Sequence, residues 1–408
     1  MNNKKTVGII VGVVAGIGVL GFGAWYAVNY GGLFGGGENI ISASTSENSE
    51  SGGTVLKNGE NVIKSGGTYE ISGAITGRIK IDTTEAVTLV VNSDVSITNN
   101  EESGAISADG DLTITGTGTL TIKSSGKGIK AEGLLTVKSG ILNITATDDA
   151  VHSNGAVTVS GGELNLSTGD DGIHADGDVT ISGGKINISK SHEGIEGHNI
   201  TVSDGEISAT ADDDGFNVAG GNDSSGGGGK DGGMWGGGPM DEVTDGVLTI
   251  AGGSIYVNAD GDGLDSNGSM KMTGGTVYVD GPTNSGNGAL DYNGSFEITG
   301  GTLVAVGASG MAQNASSATQ PSVLMNLSAT YTGELSFGGI SFKPAKSYSS
   351  VVISSPELSV GSSYTLTIDG KDVSTVTVSQ NVTGGSGGMM QGGGQMPAQQ
   401  QQRQQQRR

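Results

Sequence analysis

The chain of 408 residues contains no cysteine, which excludes both a disulfide framework and a cysteine-ligated zinc site. Rigidity has to come from backbone hydrogen bonding, packing or metal ions. Basic residues are scarce: 20 lysines and arginines stand against 42 aspartates and glutamates, for a net charge of −22. That balance argues against nucleic acid as a partner, because phosphate binding needs a basic stripe. It suits cations, bound directly or as bridges to another anion. Apolar residues make up only 34% of the chain, yet valine, isoleucine and leucine recur at regular spacing over most of it. A disordered chain has no need of such spacing.

The two ends differ from the middle. Residues 1–6 include Lys4 and Lys5 and are expected to stay in the cytoplasm. The uncharged run 7–28 that follows is long enough, at about 33 Å as a helix, to span a bilayer core. It is longer than the apolar core of a cleaved signal peptide and lacks the small-residue cleavage site. The expectation is a single-pass membrane protein with the bulk of the chain extracellular. Gly8, Gly12 and Gly16 stand four apart, a spacing that permits a homodimer through close helix approach. Residues 29–53 have the composition of a flexible stalk, and 384–408 that of a disordered Gly/Gln/Arg tail.

Between the ends the chain repeats itself. "DDAVHSNGAVTVSGGELNLST" begins at Asp148 and "DDGIHADGDVTISGGKINISK" at Asp170. The aliphatic of this motif falls at Ile106, Ile129, Val151, Ile173, Ile195, Phe216, Leu264, Leu290 and, as a last candidate, Met311. The gaps are 23, 22, 22, 22, 21, 48, 26 and 21 residues, the longest holding the Gly-rich insertion 220–242. Within each unit apolar residues alternate, as in Val179, Ile181, Ile186 and Ile188, and Gly pairs mark the bends. A unit of this size buries too few aliphatics to offset the entropy of ordering its backbone. Stacking the units merges their aliphatic columns into one core. The fold expected is all-β: a right-handed parallel β-helix over 54–311, about 22 residues per coil. Residues 312–383 alternate without the period and are expected to form a C-terminal β cap.

The acids of the motif have positions. Asp148 and Asp149, Asp170 and Asp171, Glu193, Asp213 and Asp214, and Asp260 and Asp262 precede the aliphatic. His152, His174, Glu196, Asn217, Asp265 and Asp291 follow it. In a stacked solenoid equivalent carboxylates lie about 4.8 Å apart and repel by about 3–4 kcal/mol per pair at an effective dielectric near 20. Hard oxygen donors repeated in this way point to Ca2+, with Asp148, Asp149, Asp170, Asp171, Glu193, Asp213, Asp214, Asp260, Asp262, Asp265 and Asp291 as candidate ligands. The bland alternative is bend chemistry, with Asp accepting local backbone N–H bonds. His152, His174, Glu196 and Asn217 are candidates to orient sugar hydroxyls, and Trp235 in the insertion to stack on a sugar ring.

The repeated "DDGIHADG" units, the "SHEGIEG" variant, "DDDGFNVAGG" before a Gly/Trp loop, and the "ISSPEL…YTL" segment resemble a known family of carbohydrate-binding β-helices. That family is typified by a calcium-containing protein that binds cellulose and polygalacturonate. The resemblance spans about 55–379 and implies a noncatalytic, extracellular binder of acidic polysaccharide. The rival readings are a polysaccharide lyase or hydrolase on the same fold, and a purely structural or adhesive solenoid. Arg78 is the only arginine in the repeat region and lies far from the acids, which counts against a lyase base.

Overall fold

The computed structural model describes residues 39–41, 54–218 and 243–384. The expected membrane span 7–28, the insertion 220–242 with Trp235, and the tail beyond Gly384 lie outside the described residues, as do residues 1–6 and most of 29–53. No helix among the described residues is long and apolar enough to cross a membrane.

Every regular element among the described residues is a strand. One coil consists of Val151–Ser153, Val157–Val159 and Glu163–Ser167. Each strand pairs in parallel with its equivalent one coil on: Val151 with Ile173, Val157 with Val179, Leu164 with Ile186. The three faces of the solenoid are thus three parallel ladders. In the next two coils the second and third strands run together as Val179–Lys190 and Ile200–Ala211. Both turn the corner at glycines with positive φ, Gly184 at 92° and Gly205 at 116°, a conformation that side chains with a Cβ resist.

The first ladder holds eleven strands in succession, from Asn39–Ile41 to Leu290–Tyr292. Asn39–Ile41 lies within the stretch expected as a stalk and pairs with Asn61, Val62 and Ile63. The aliphatic column of the repeat is the inward face of this ladder; Ile129, Val151, Ile173, Ile195, Phe216, Leu264 and Leu290 are all buried in one continuous cluster. The long gap leaves the register intact, since Phe216 pairs directly with Leu264. Met311, the last candidate rung, belongs to no strand.

Beyond the last coil the pairing turns antiparallel. Tyr348–Ser354 runs between Thr302–Gly307 and Ser322–Tyr331, antiparallel to both. Ile340–Phe342, Leu335–Phe337, Ser363–Ile368 and Lys371–Thr377 form a separate four-stranded sheet. A second apolar cluster that includes Phe337, Tyr348, Val351 and Leu366 packs there.

Candidate functional site

The period places two polar columns side by side on the first ladder. One column stands just after each buried aliphatic. Its register runs from Lys130 to His152, His174, Glu196, Asn217, Asp265 and Asp291. The other stands two residues before the aliphatic: Lys127, Asp149, Asp171, Glu193, Asp214 and Asp262. The backbone links this second column coil to coil, because the N–H after each of its residues donates to the next residue's carbonyl. Gly128 donates to Asp149, Ala150 to Asp171, Gly172 to Glu193, Gly194 to Asp214 and Gly215 to Asp262.

A small residue separates the columns for a steric reason. A Cβ at Gly194 would lie 2.2 Å from the carbonyl oxygen of Gly215 in the next coil. Coils therefore approach closely here and bring the two columns into contact.

Asp149, Asp171, Asp214 and Asp262 each give one oxygen to a backbone N–H of the next coil, and Asp149 and Asp171 turn the other to the neighbouring column. Asp149 Oδ1 accepts from the Asp171 N–H at 3.0 Å, and Asp171 Oδ1 from the Glu193 N–H at 3.3 Å. Asp214 Oδ1 accepts from the Asp262 N–H at 2.6 Å, and Asp262 Oδ1 from the Gly288 N–H at 2.5 Å. The other oxygen of Asp149 faces His152 Nδ1 at 2.8 Å, and that of Asp171 faces His174 Nδ1 at 3.0 Å. The two imidazoles stack, centroids 4.8 Å apart and planes within 9°. His174 Nδ1 also lies 3.0 Å from Glu196 Oε2, and its Nε2 3.2 Å from Asp176 Oδ1.

The column divides into two chemically different ends. At the histidine end, Lys127 reaches both Asp148, at 2.9 Å, and Asp149. Burial alone would raise the Asp149 carboxyl; His152 and Lys127 outweigh it and hold the group at about 2. Burial opposes charge on His174, but Asp171 and Glu196 outweigh it and lift the ring to about 11. Asp170 is pushed up to about 6 by burial and by Asp171, Asp149 and Asp148.

At the carboxylate end no basic residue among the described residues pairs with Asp214, Asp262, Asp265 or Asp291. Burial and then Asp262 push Asp214 up to about 7. Burial and then Asp214, Asp262 and Asp291 push Asp265 up to about 8. Asp262 rises to about 6, chiefly through burial. Oxygens of Asp262, Asp265 and Asp291 lie within 4.8 Å of one another. Between the ends, Asn217 donates through Nδ2 to Glu193 Oε2 at 2.8 Å. Its own Oδ1 is buried and has no hydrogen-bond partner among the described residues. An amide oxygen left bare among carboxylates, which offer it no proton when ionised, is a fit for a cation.

Not every sequence candidate joins this arrangement. Asp260 leaves the column: it stands four residues before Leu264, is exposed, and pairs with Lys346 at 3.1 Å. Asp213 is half exposed, 3.8 Å from His192. His152, His174 and Glu196, expected to meet sugar hydroxyls, are buried at 8%, 3% and 2% exposure and turned toward protein partners. The cause is the contact between the columns, which covers their side chains. Trp235 lies outside the described residues. Sequence reasoning missed Lys127 and Asp176. Lys127 was within reach of it, since it occupies the Asp149 position one coil earlier. Arg78, the only arginine of the repeat region, is held by Glu60 at 2.6 Å.

A family model described as "Carbohydrate-binding domain-containing protein" matches residues 98–233, about a third of the chain. The match spans the coils from Ile106–Ala108 to Phe216–Val218 and, with the solenoid, supports a carbohydrate-binding β-helix. No curated protein and no solved structure matches the chain.

Proposed function

We propose that this chain is a noncatalytic, surface-anchored protein that binds acidic polysaccharide through Ca2+. Asp214, Asp262, Asp265 and Asp291, with the Asn217 side-chain oxygen, would hold the ion. Bound there, Ca2+ supplies positive charge with room for further oxygen ligands. The observation that carries this reading is the group of Asp262, Asp265 and Asp291 oxygens within 4.8 Å of one another and without a basic partner among the described residues, one rung on from Asn217, whose buried side-chain oxygen has no hydrogen-bond partner among them. The half-buried state of Asp214, Asp262, Asp265 and Asp291 supports it too, because a polymer can approach them, whereas Asp171 and Glu196 are enclosed. Uronate carboxylates of a polymer such as polygalacturonate complete the shell, so two anions meet through one cation. The family match favours a sugar ligand over a purely structural role. Anchoring through residues 7–28, with the solenoid outside the cell, belongs to the same proposal.

The test is retention of the full-length chain on polygalacturonate with Ca2+ and with EGTA, with unsaturated products followed by absorbance. Retention in Ca2+, release in EGTA and no product are expected. Product formation would replace this reading with a lyase, and equal retention in both buffers would remove the ion from it. Recovery of the chain in the membrane fraction tests the anchor.

A further inference from the structure

The histidine end carries a donor set of a different kind. His174 has two ring nitrogens, yet three carboxylate oxygens stand at hydrogen-bond distance from them. Two of these, Asp171 Oδ2 and Glu196 Oε2, share Nδ1 at 3.0 Å each. One N–H directed at two carboxylates leaves one of them undersupplied. Ligand atoms of Asp171, His174 and Glu196 all lie within 4.8 Å of one another, and all three residues are buried, at 4%, 3% and 2% exposure.

We propose that Asp171, His174 and Glu196 form a closed site for a borderline divalent ion such as Zn2+, distinct from the oxygen-only site assigned to Ca2+. Two ionised carboxylates and a neutral imidazole sum to −2, which a divalent ion cancels; a proton on Nδ1 leaves −1. An independent feature points the same way. With Nδ1 on a metal, Nε2 carries the proton and donates to Asp176 Oδ1 at 3.2 Å. A carboxylate behind a ligating histidine is the usual means of fixing the ring's tautomer and orientation. The Asp171 ligand is braced likewise, by the Glu193 N–H on its Oδ1. Calcium is the poorer occupant, because it asks for six to eight oxygens and gains little from imidazole. One nitrogen and two carboxylates give a borderline ion such as Zn2+ three ligands of suitable type, with the fourth tetrahedral position left to water or to a second carboxylate oxygen.

The full-length chain, produced with supplemental Zn2+ and dialysed against excess Ca2+, tests this by elemental analysis. One Zn2+ per chain is expected to survive the dialysis, and Co2+ in its place to give visible absorption bands. His174→Gln abolishes both, while Asp265→Asn leaves both unchanged. Asp176→Asn, at the exposed edge, weakens Zn2+ binding by about 10–100-fold without touching the ligands. No retained Zn2+, or equal retention by His174→Gln, overturns the site. Should His174→Gln fail to fold, unaltered affinity in Asp176→Asn overturns it instead. The Ca2+ content of the same samples reports on the carboxylate end separately, so either site can fail alone.

Discussion

The two ends of one polar column solve the same electrostatic problem differently. Around Asp149 and Asp171 the protein supplies its own positive charge, from Lys127 and from His174, whose ring is held protonated to about 11 in the absence of metal. Around Asp214, Asp262, Asp265 and Asp291 it supplies none among the described residues, and burial with mutual repulsion moves Asp214 and Asp265 to about 7 and 8. Backbone geometry is common to both, since the same rung-to-rung N–H bonds tie Asp149 and Asp214 to the following coil. The difference lies in the side chains: Lys127 before the aliphatic and histidine after it at one end, aspartate in both places at the other. A wall that carries basic side chains among its acids and a row of carboxylates without any thus arise from one repeat.

Removing the charge that neutralises the closed end has the largest expected effect. His174→Ala leaves Asp171 and Glu196 buried without their partner and is expected to cost about 3–5 kcal/mol in chemical denaturation. Added Ca2+ does not restore it. At the other end the sign reverses. Asp265→Asn removes a carboxyl that folding forces to take up a proton at neutral pH and is expected to stabilise the chain in EGTA by about 1–3 kcal/mol. Calcium then raises its melting temperature less than it raises the wild type's. Asp265→His, which copies the histidine end, is expected to do the same and so make the ends alike.

The pH dependence sets Asp149 apart from the acids that burial raises, which include Asp170 and Asp171 at the histidine end, both pushed up to about 6. Asp214, Asp262 and Asp265 have folded-state pKa values above their unfolded ones. Their contribution to stability is full below about pH 4 and is lost as pH rises through about 6 to 8. Asp149 behaves oppositely: its contribution is present above about pH 4 and fades as pH falls through about 2. In EGTA the unfolding free energy is therefore expected to fall between pH 5 and 8, by about 1.4 kcal/mol per pH unit for each proton involved. Calcium flattens that slope. The smallest effect belongs to Asp260→Asn, whose exposed pair with Lys346 is worth at most about 1 kcal/mol. It is expected to leave Ca2+ binding unchanged in calorimetry.

The coils were legible in the sequence because stacking imposes a constant period, and the period alone predicts that His152, His174, Glu196, Asn217, Asp265 and Asp291 share a column. What the period does not carry is which way a side chain turns. Each imidazole points along the wall to the acid three residues before it in the same coil, His152 to Asp149 and His174 to Asp171. Asp260 was illegible for another reason. Its partner Lys346 comes from a segment 86 residues later, beyond the repeat. Asn39–Ile41 was hidden because three residues are too few to show alternation against a glycine-rich background.

The direct pairing of Phe216 with Leu264 across 48 residues has a wider implication. Corner length and rung spacing are independent variables in this architecture. Copying one 22-residue module would lengthen the molecule by a single step and add one more position to each column. The length of each column can therefore evolve in discrete increments, while the chain between Phe216 and Leu264 holds extra sequence without disturbing their pairing.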